Sequence, residues 1–231
     1  MADTRDRILA ATNESFRRRG YHGTSIKDVT RAAGATIGSL YHFFPGGKTA
    51  LAEAVIIESG AAYRRLFELI ADEAADPAAA ITAFFDGAAL VLEDSDFLDV
   101  CPIGTVAREV ASTDDDLRTA TDAVFRSWID AAAERFTPTT PVTPVTPVTP
   151  TTPATPSTPA APVSDEARAL ATTVVAALEG GLILARARRD ATILQTIGRQ
   201  MAGLVSHALT TRPPATSSGR PPRSRTARTR P

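Results

Sequence analysis

Residues 24–51 read TSIKDVTRAAGATIGSLYHFFPGGKTAL, and this stretch decides the architecture. Thr24 or Ser25 is placed to cap a helix, with Asp28 three residues after Ser25 as in a capping box. That helix carries Ile26, Val29 and Ala33 inward. Gly34 then permits a tight turn. Thr36 caps a third, short helix, Ile37 to Phe43, with Leu40 inward. Two short helices joined by a four-residue turn containing glycine make a helix-turn-helix. Upstream, a first helix runs roughly from Thr4 to Arg19 and is closed by Gly20, with Ile8, Thr12 and Phe16 along one face.

Spacing alone fits any pair of short helices that meet, so the composition of the third helix carries the argument. Its first turn holds small or hydroxyl residues: Ala35, Thr36, Gly38 and Ser39. A helix entering the major groove needs little bulk there if its backbone is to approach base edges. Its N-terminus also carries partial positive charge that attracts phosphate. Tyr41 and His42 follow as donors to phosphate oxygens, Lys48 opens the next helix after Pro45-Gly46-Gly47, and Lys27 sits on the exposed side of the second helix. For His42 the alternative is a surface ring stacked on Phe43; for Phe43 and Phe44 packing between helices is preferred.

With these features, the stretch resembles the DNA-binding head of the TetR family of transcriptional regulators. That pattern has a Thr-rich start to the second helix, an Ala-Gly turn, a Ser/Thr cap, Gly-Thr/Ser-Leu-Tyr, an aromatic pair and a Lys soon after. Position by position, the resemblance implies DNA contacts from Thr24, Ser25, Lys27, Thr36, Gly38, Ser39, Tyr41, His42 and Lys48. Thr36 and Ser39 are expected nearest the bases, and Thr24, Tyr41, His42 and Lys48 on the backbone. The short side chains at positions 38 and 39 leave part of the base reading to Lys27, water and DNA shape. Farther on, CPIGTVAREV (101–110) and ALEGGLILARARRD (177–190) resemble the LmrA/YxaF-like branch of that family. The resemblance implies an all-α homodimer on a palindromic double-stranded operator. A helical body would hold a small lipophilic effector whose binding releases the DNA, usually as a repressor.

The charge distribution agrees with contact to a polyanion at the ends. Residues 1–50 hold eight Lys/Arg and four Asp/Glu, residues 51–136 six and eighteen, residues 137–163 none, residues 164–211 five and four, and residues 212–231 six Arg and no acid. The formal total of −1 therefore hides a basic head, an acidic body and a basic tail. This gives five segments. Residues 1–50 form the head and 51–136 the first part of the helical body. Residues 137–163 are a disordered Pro/Thr insertion, residues 164–211 the dimerisation helices, and residues 212–231 a disordered Arg-rich tail. In 137–163 proline falls at every third position from Pro138 to Pro162, the repeat of an extended polyproline strand with no hydrogen bonds of its own.

The rest reads as helices, about nine in all, with no sustained period-two alternation. Stripes run through Leu51, Val55, Ala62, Leu66 and Leu69, and through Leu117, Thr121, Val124, Trp128 and Ala132. Two more run through Ala167, Leu170, Val174, Leu178, Leu182 and Ala185, and through Leu194, Ile197, Met201, Leu204 and Ala208. Helical bundles bind small molecules between helices, behind mostly apolar walls. Candidates for such a wall are Phe84, Phe85, Leu90, Phe97, Cys101, Ile103, Val106, Phe125, Trp128, Ile129, Leu178 and Leu182, all equally good core residues. Cys101 has no cation beside it in sequence, which favours a buried thiol over a reactive sensor. Gly180 and Gly181 within one helix point to a close helix crossing, and with Ala185, Ile197, Met201 and Leu204 they are the expected dimer interface.

Several function classes are disfavoured. One cysteine and three histidines leave little for a disulfide framework or a metal centre. No phosphate-binding glycine loop, nucleophile elbow or paired His/carboxylate motif appears, so neither enzyme activity nor a cofactor is expected. The charged N-terminal residues and the lack of an unbroken apolar run make a cytoplasmic protein, nucleoid-associated when bound to DNA and without a membrane partner, the expectation. The alternative reading is an α-helical protein-interaction module with only non-specific DNA affinity.

Overall fold

The computed structural model describes residues 3–137 and 163–211. The expectations for the Pro/Thr tract (138–162) and the Arg-rich tail (212–231) lie outside the described residues. Among those described there are nine α-helices and no strand: α1 (Thr4–Arg19), α2 (Ile26–Ala32), α3 (Ile37–Phe43), α4 (Gly47–Glu73), α5 (Pro77–Asp94), α6 (Pro102–Val110), α7 (Asp115–Arg135), α8 (Asp165–Arg188) and α9 (Thr192–Thr211). The all-α expectation holds.

Most of the helix starts are written in single polar residues. Ser25 accepts the backbone N–H of Asp28, Thr36 that of Ser39, Asp76 that of Ala79, Asp114 that of Leu117 and Ser164 that of Ala167. Each bond satisfies a donor that the helix itself leaves orphaned, typically worth about 1 kcal/mol. Asp114 thus has a structural task in the acidic run 114–116. At α6 the cap is a thiol: Cys101 Sγ accepts the N–H of Gly104 at 3.4 Å, and Pro102 occupies the first helical position.

Two apolar cores form. The first buries Ile8 and Phe16 of α1, Val29 of α2, Leu40 of α3 and Leu51, Val55 and Ile56 of α4. It continues into Ile103, Val106 and Val110 of α6 and Leu117 and Val124 of α7. The second buries Phe85 and Leu92 of α5, Ala133 and Phe136 at the end of α7, Ala171 and Ala185 of α8, and Leu194 and Val205 of α9. The segment boundary expected after residue 50 therefore falls inside α4 and inside one continuous core. Cys101 packs against both cores.

Glycines set two of the closest crossings. At Gly198 on α9, a Cβ would lie 2.5 Å from Phe85 Cβ, so α5 and α9 touch almost backbone to backbone. At Gly60 on α4, a Cβ would lie 2.5 Å from a methyl of Val124 on α7, and the Gly60 carbonyl accepts the Trp128 indole N–H at 2.9 Å.

The expected stripes hold on α1, α7 and α8 and shift on two helices. On α4, Leu66 and Leu69 are exposed, and the inner face runs instead through Ala52, Ile56, Gly60 and Phe67. On α9 the buried row is Leu194, Gly198, Ala202 and Val205, while Leu204 is 48% exposed. In both cases the true seam passes through a glycine. A search for large apolar residues at helical spacing steps over such positions.

Candidate functional site

The first part of the site is the outer face of α2 and α3. Ser25, Lys27, Thr36, Gly38, Tyr41 and His42 are exposed, and Ser39 is half-buried beside them. The Thr36 and Ser39 hydroxyls lie 2.9 Å apart, so the cap that starts α3 also pins the side chain expected nearest the bases. Gly38 has open space around it, the nearest atom to an added Cβ being Thr36 Oγ1 at 3.7 Å. His42 meets Phe43 edge-on at 5.1 Å between ring centroids, the contact weighed as its alternative role. The Lys48 ammonium sits 4.3 Å from the centroid of the Tyr21 ring. Its partial burial there lowers its pKa, and the charge of Glu109 partly opposes this.

Thr24 departs from expectation. It is buried, its hydroxyl donates to the Gly20 carbonyl at 2.7 Å, and it shares a 2.8 Å hydrogen bond with Ser15. It fastens α1 to the turn before α2 and presents no side chain to a DNA surface. One residue of the face was not in the expected set: Ile37, 52% exposed on α3. Spacing gives no signal for its exposure, since residues three apart share one side of a helix and Leu40 points inward.

The second part is an apolar cavity of about 260 Å³. Its walls come from α4 (Tyr63, Leu66, Phe67, Ile70), α5 (Ile81, Phe84, Phe85, Val91), α7 (Trp128, Ala131, Ala132) and α8 (Val174, Leu178, Leu182). Of the expected wall residues, Phe84, Phe85, Cys101, Trp128, Leu178 and Leu182 lie there together. Five others do not. Ile103 and Val106 are fully buried in the first core, because α6 turns that face toward the head. Phe97 and Ile129 pack against the second core, with the Arg189 guanidinium 5.3 Å from the centre of the Phe97 ring. Leu90 is 63% exposed. Phe125 lines a second cleft, of about 650 Å³, between α6, α7 and α8.

Four charged residues also line the cavity, and apolar spacing in the sequence carries no signal for them. Arg17 comes from α1 in the head and pairs with Asp99 at 3.1 Å, and Arg18 reaches the same carboxylate at 3.1 Å. Arg64 pairs with Glu68 at 2.7 Å. Glu179 of α8 lies on the wall of the cavity and also of the second cleft. Burial lifts the Glu179 carboxyl from 4.5 to about 7, against the opposing pull of the Cys101 thiol and the Arg108 charge. Burial and the Glu179 charge together hold the Cys101 thiol well above its usual value, so it stays a thiol.

A pH dependence follows. Below pH 4.5 Glu179 is protonated in both folded and unfolded chains. Between 4.5 and 7 the unfolded chain loses that proton and the folded one keeps it, so stability falls as pH rises and levels off above 7. The shift corresponds to about 3 kcal/mol. Glu179→Gln should therefore gain stability relative to the parent as pH rises from about 4.5 to 8, read by urea unfolding at several pH values. A gap that does not change with pH would show that the carboxyl is not held neutral.

The residues expected at a dimer interface divide. Ala185 is fully buried within the subunit, and a Cβ at Gly181 would meet Leu194 and Ile197 of the same chain at 2.9 and 3.0 Å. These two therefore serve packing between α8 and α9, a correction that follows from their facing inward. Gly180 has nothing within 4 Å, Leu204 is exposed, and Ile197 and Met201 lie partly buried between the two faces. Beside them, Ile183 and Leu184 are 44% and 53% exposed. The apolar part of α8 has a mean hydropathy of 1.5, enough by length and composition to cross a membrane, yet α8 packs on α7 and α9 with only 22% of that stretch buried.

Comparison with known proteins settles the family. Residues 8–55 match the model of bacterial regulatory proteins of the tetR family, and residues 77–140 and 160–200 match that of the LmrA/YxaF-like transcriptional regulator C-terminal domain. The chain belongs to the TetR family. It is a DNA-binding transcriptional regulator with a helix-turn-helix head, and not an enzyme. The break in the second match, between residues 140 and 160, places most of the Pro/Thr tract outside the family pattern. This TetR regulator is 30% identical over 203 residues to the uncharacterized HTH-type transcriptional regulator YxaF of Bacillus subtilis, covering 88% of this chain and 95% of that one. It is 27% identical to the HTH-type regulator LmrA of the same organism, covering 83% and 91%. Among solved structures it resembles a TetR regulator from Legionella pneumophila, with a TM-score of 0.70, 21% identity and coverage of 88% and 98%. It also resembles FadR from Bacillus subtilis in complex with stearoyl-CoA, with a TM-score of 0.59, 12% identity and coverage of 87% and 96%.

Proposed function

We propose that this regulator is a homodimeric, sequence-specific repressor that leaves a palindromic operator when a small lipophilic effector fills the cavity of each subunit. The observation that carries the reading is the position of Arg17. A residue of the head helix α1 forms part of the wall of a body cavity and is tied there to Asp99. An occupant that displaces this wall moves α1, and α1 shares one core with α2 and α3. Protein cores are close-packed and transmit such shifts instead of absorbing them. The FadR relative, with its stearoyl-CoA, is a case of the same fold holding a molecule with a long apolar chain.

On the DNA side, Thr36, Gly38 and Ser39 approach the base edges, and Ile37 is placed to meet a thymine methyl. Ser25, Lys27, Tyr41, His42 and Lys48 serve the phosphates and set the register. The exposed apolar face of α8 and α9, with Gly180, Leu184 and Leu204, is covered by a second copy of the chain, and Ile197 and Met201 border that contact. The protein acts in the cytoplasm, where its DNA is.

The test is selection. The purified protein is mixed with fragmented genomic DNA of its source at moderate salt, and the retained fragments are sequenced. Recovery of a discrete, near-palindromic site is the expected result. A salt-sensitive collection with no common sequence would favour the interaction-module reading, because phosphate contacts alone carry no sequence information.

A further inference from the structure

Three buried side-chain atoms lack a hydrogen-bond partner among the described residues: Asn13 Oδ1, Arg17 Nε and Glu179 Oε1. Two of the three residues, Arg17 and Glu179, belong to the cavity wall. A buried polar atom left unpaired costs free energy, and such exceptions mark strain or a missing partner.

The charges on that wall are not equally balanced. Arg17 pairs with Asp99, which Arg18 also reaches, and Arg64 pairs with Glu68. Among the described residues Glu179 makes no ion pair. Its neighbours are the Cys101 thiol and, at longer range, Arg108. Its carboxylate is also held in place from α6. A Cβ at Gly104 would lie 2.0 Å from Glu179 Oε2, so the glycine leaves the space that this oxygen fills. Glu179 is thus a fixed residue of a wall that also carries Phe84, Trp128 and Leu178, and its buried Oε1 has no hydrogen-bond partner among the described residues.

Building on the effector reading above, we propose that the effector is a mainly apolar amine, and that Glu179 is the residue that selects it by accepting a hydrogen bond from the protonated nitrogen at Oε1. A cation supplies what this site lacks, a donor and a compensating charge together. In a water-poor wall a lone carboxylate is costly, whereas a paired one recovers much of that cost. A neutral apolar molecule fills the same space but leaves the oxygen unpaired. A carboxylate-bearing molecule brings a second negative charge to it.

Three naphthalene probes of similar size test this at about pH 8 with the purified full chain: 2-(2-naphthyl)ethylamine, 2-ethylnaphthalene and 2-naphthylacetate. Binding is read from naphthyl fluorescence. The amine is expected to bind about tenfold or more tightly than 2-ethylnaphthalene, and 2-naphthylacetate most weakly. In Glu179→Gln the amine should lose its advantage while 2-ethylnaphthalene binds as before. An amine that binds no better than 2-ethylnaphthalene, or an advantage that survives in the variant, overturns the inference and leaves the effector cavity standing. Binding of none of the three overturns both. Should the variant fail to fold, the order of the three probes on the parent protein decides alone.

Discussion

Gly38→Glu is expected to fold at least as well as the parent and to lose operator binding. Gly38 lies within α3, and glycine inside a helix costs about 1 kcal/mol relative to good helix formers. Nothing stands in the way of a side chain there, since an added Cβ meets only Thr36 Oγ1, at an ordinary 3.7 Å. The helix should therefore gain stability. On the outer face, however, each glutamate brings a carboxylate and bulk to the point where the proposed contact needs close approach. A dimer carries two of them, and placing like charge against phosphate costs several kcal/mol. Affinity for the selected fragment should fall by at least about a hundredfold, with thermal stability unchanged or raised. Retention of near-parent affinity would mean that α3 does not enter the groove. Because stability and binding move in opposite directions, the result cannot be confused with unfolding.

Gly198→Val should have the largest effect on the fold. The added Cβ would start 2.5 Å from Phe85 Cβ and 3.0 Å from its Cγ, atoms anchored close to the backbone of α5. No rotamer change at Phe85 moves its Cβ away, so α5 and α9 must separate. Phe85 and Leu194 are fully buried in the same core and would lose contact as the helices part. Overpacking of a close-packed core typically costs about 1–3 kcal/mol, and with Phe85 also displaced the upper end is expected. The midpoint of urea unfolding should fall accordingly. Gly203→Val, on the same helix with nothing within 4 Å of its missing Cβ, serves as the control and should change little. Equal behaviour of the two variants would show that α5 and α9 do not meet as closely as the structure places them.

Much of the head was legible in the chain because its determinants are local. A cap three residues before the N–H it accepts, a glycine at a tight turn and an inward Leu40 are readable within a few positions. The structure returns Ser25, Thr36 and Leu40 in those roles. Thr24 was misread for a related reason. A threonine at the start of a helix looks like a cap or a surface donor, and only the approach of α1, with Ser15, turns its hydroxyl inward. Ile103 and Val106 had the right chemistry for a pocket wall. Which of the two cores they join depends on how α6 is rotated between them, and helical periodicity does not encode that.

The sequence by itself determined an all-helical chain with a helix-turn-helix head, because caps, turns and apolar period are properties of neighbouring residues. The tertiary structure alone decided where that head meets the body. Arg17 and Arg18 converge on Asp99 from more than eighty positions away, Glu109 of α6 accepts the His22 N–H at 2.8 Å, and Glu179 faces Cys101 and Gly104 across another helix pair. These contacts join residues remote in the chain. They arise from helix crossings set by glycines, whose contribution is the absence of a side chain. An absence leaves no periodic signal, so the charged lining of the cavity emerged only once the helices were packed.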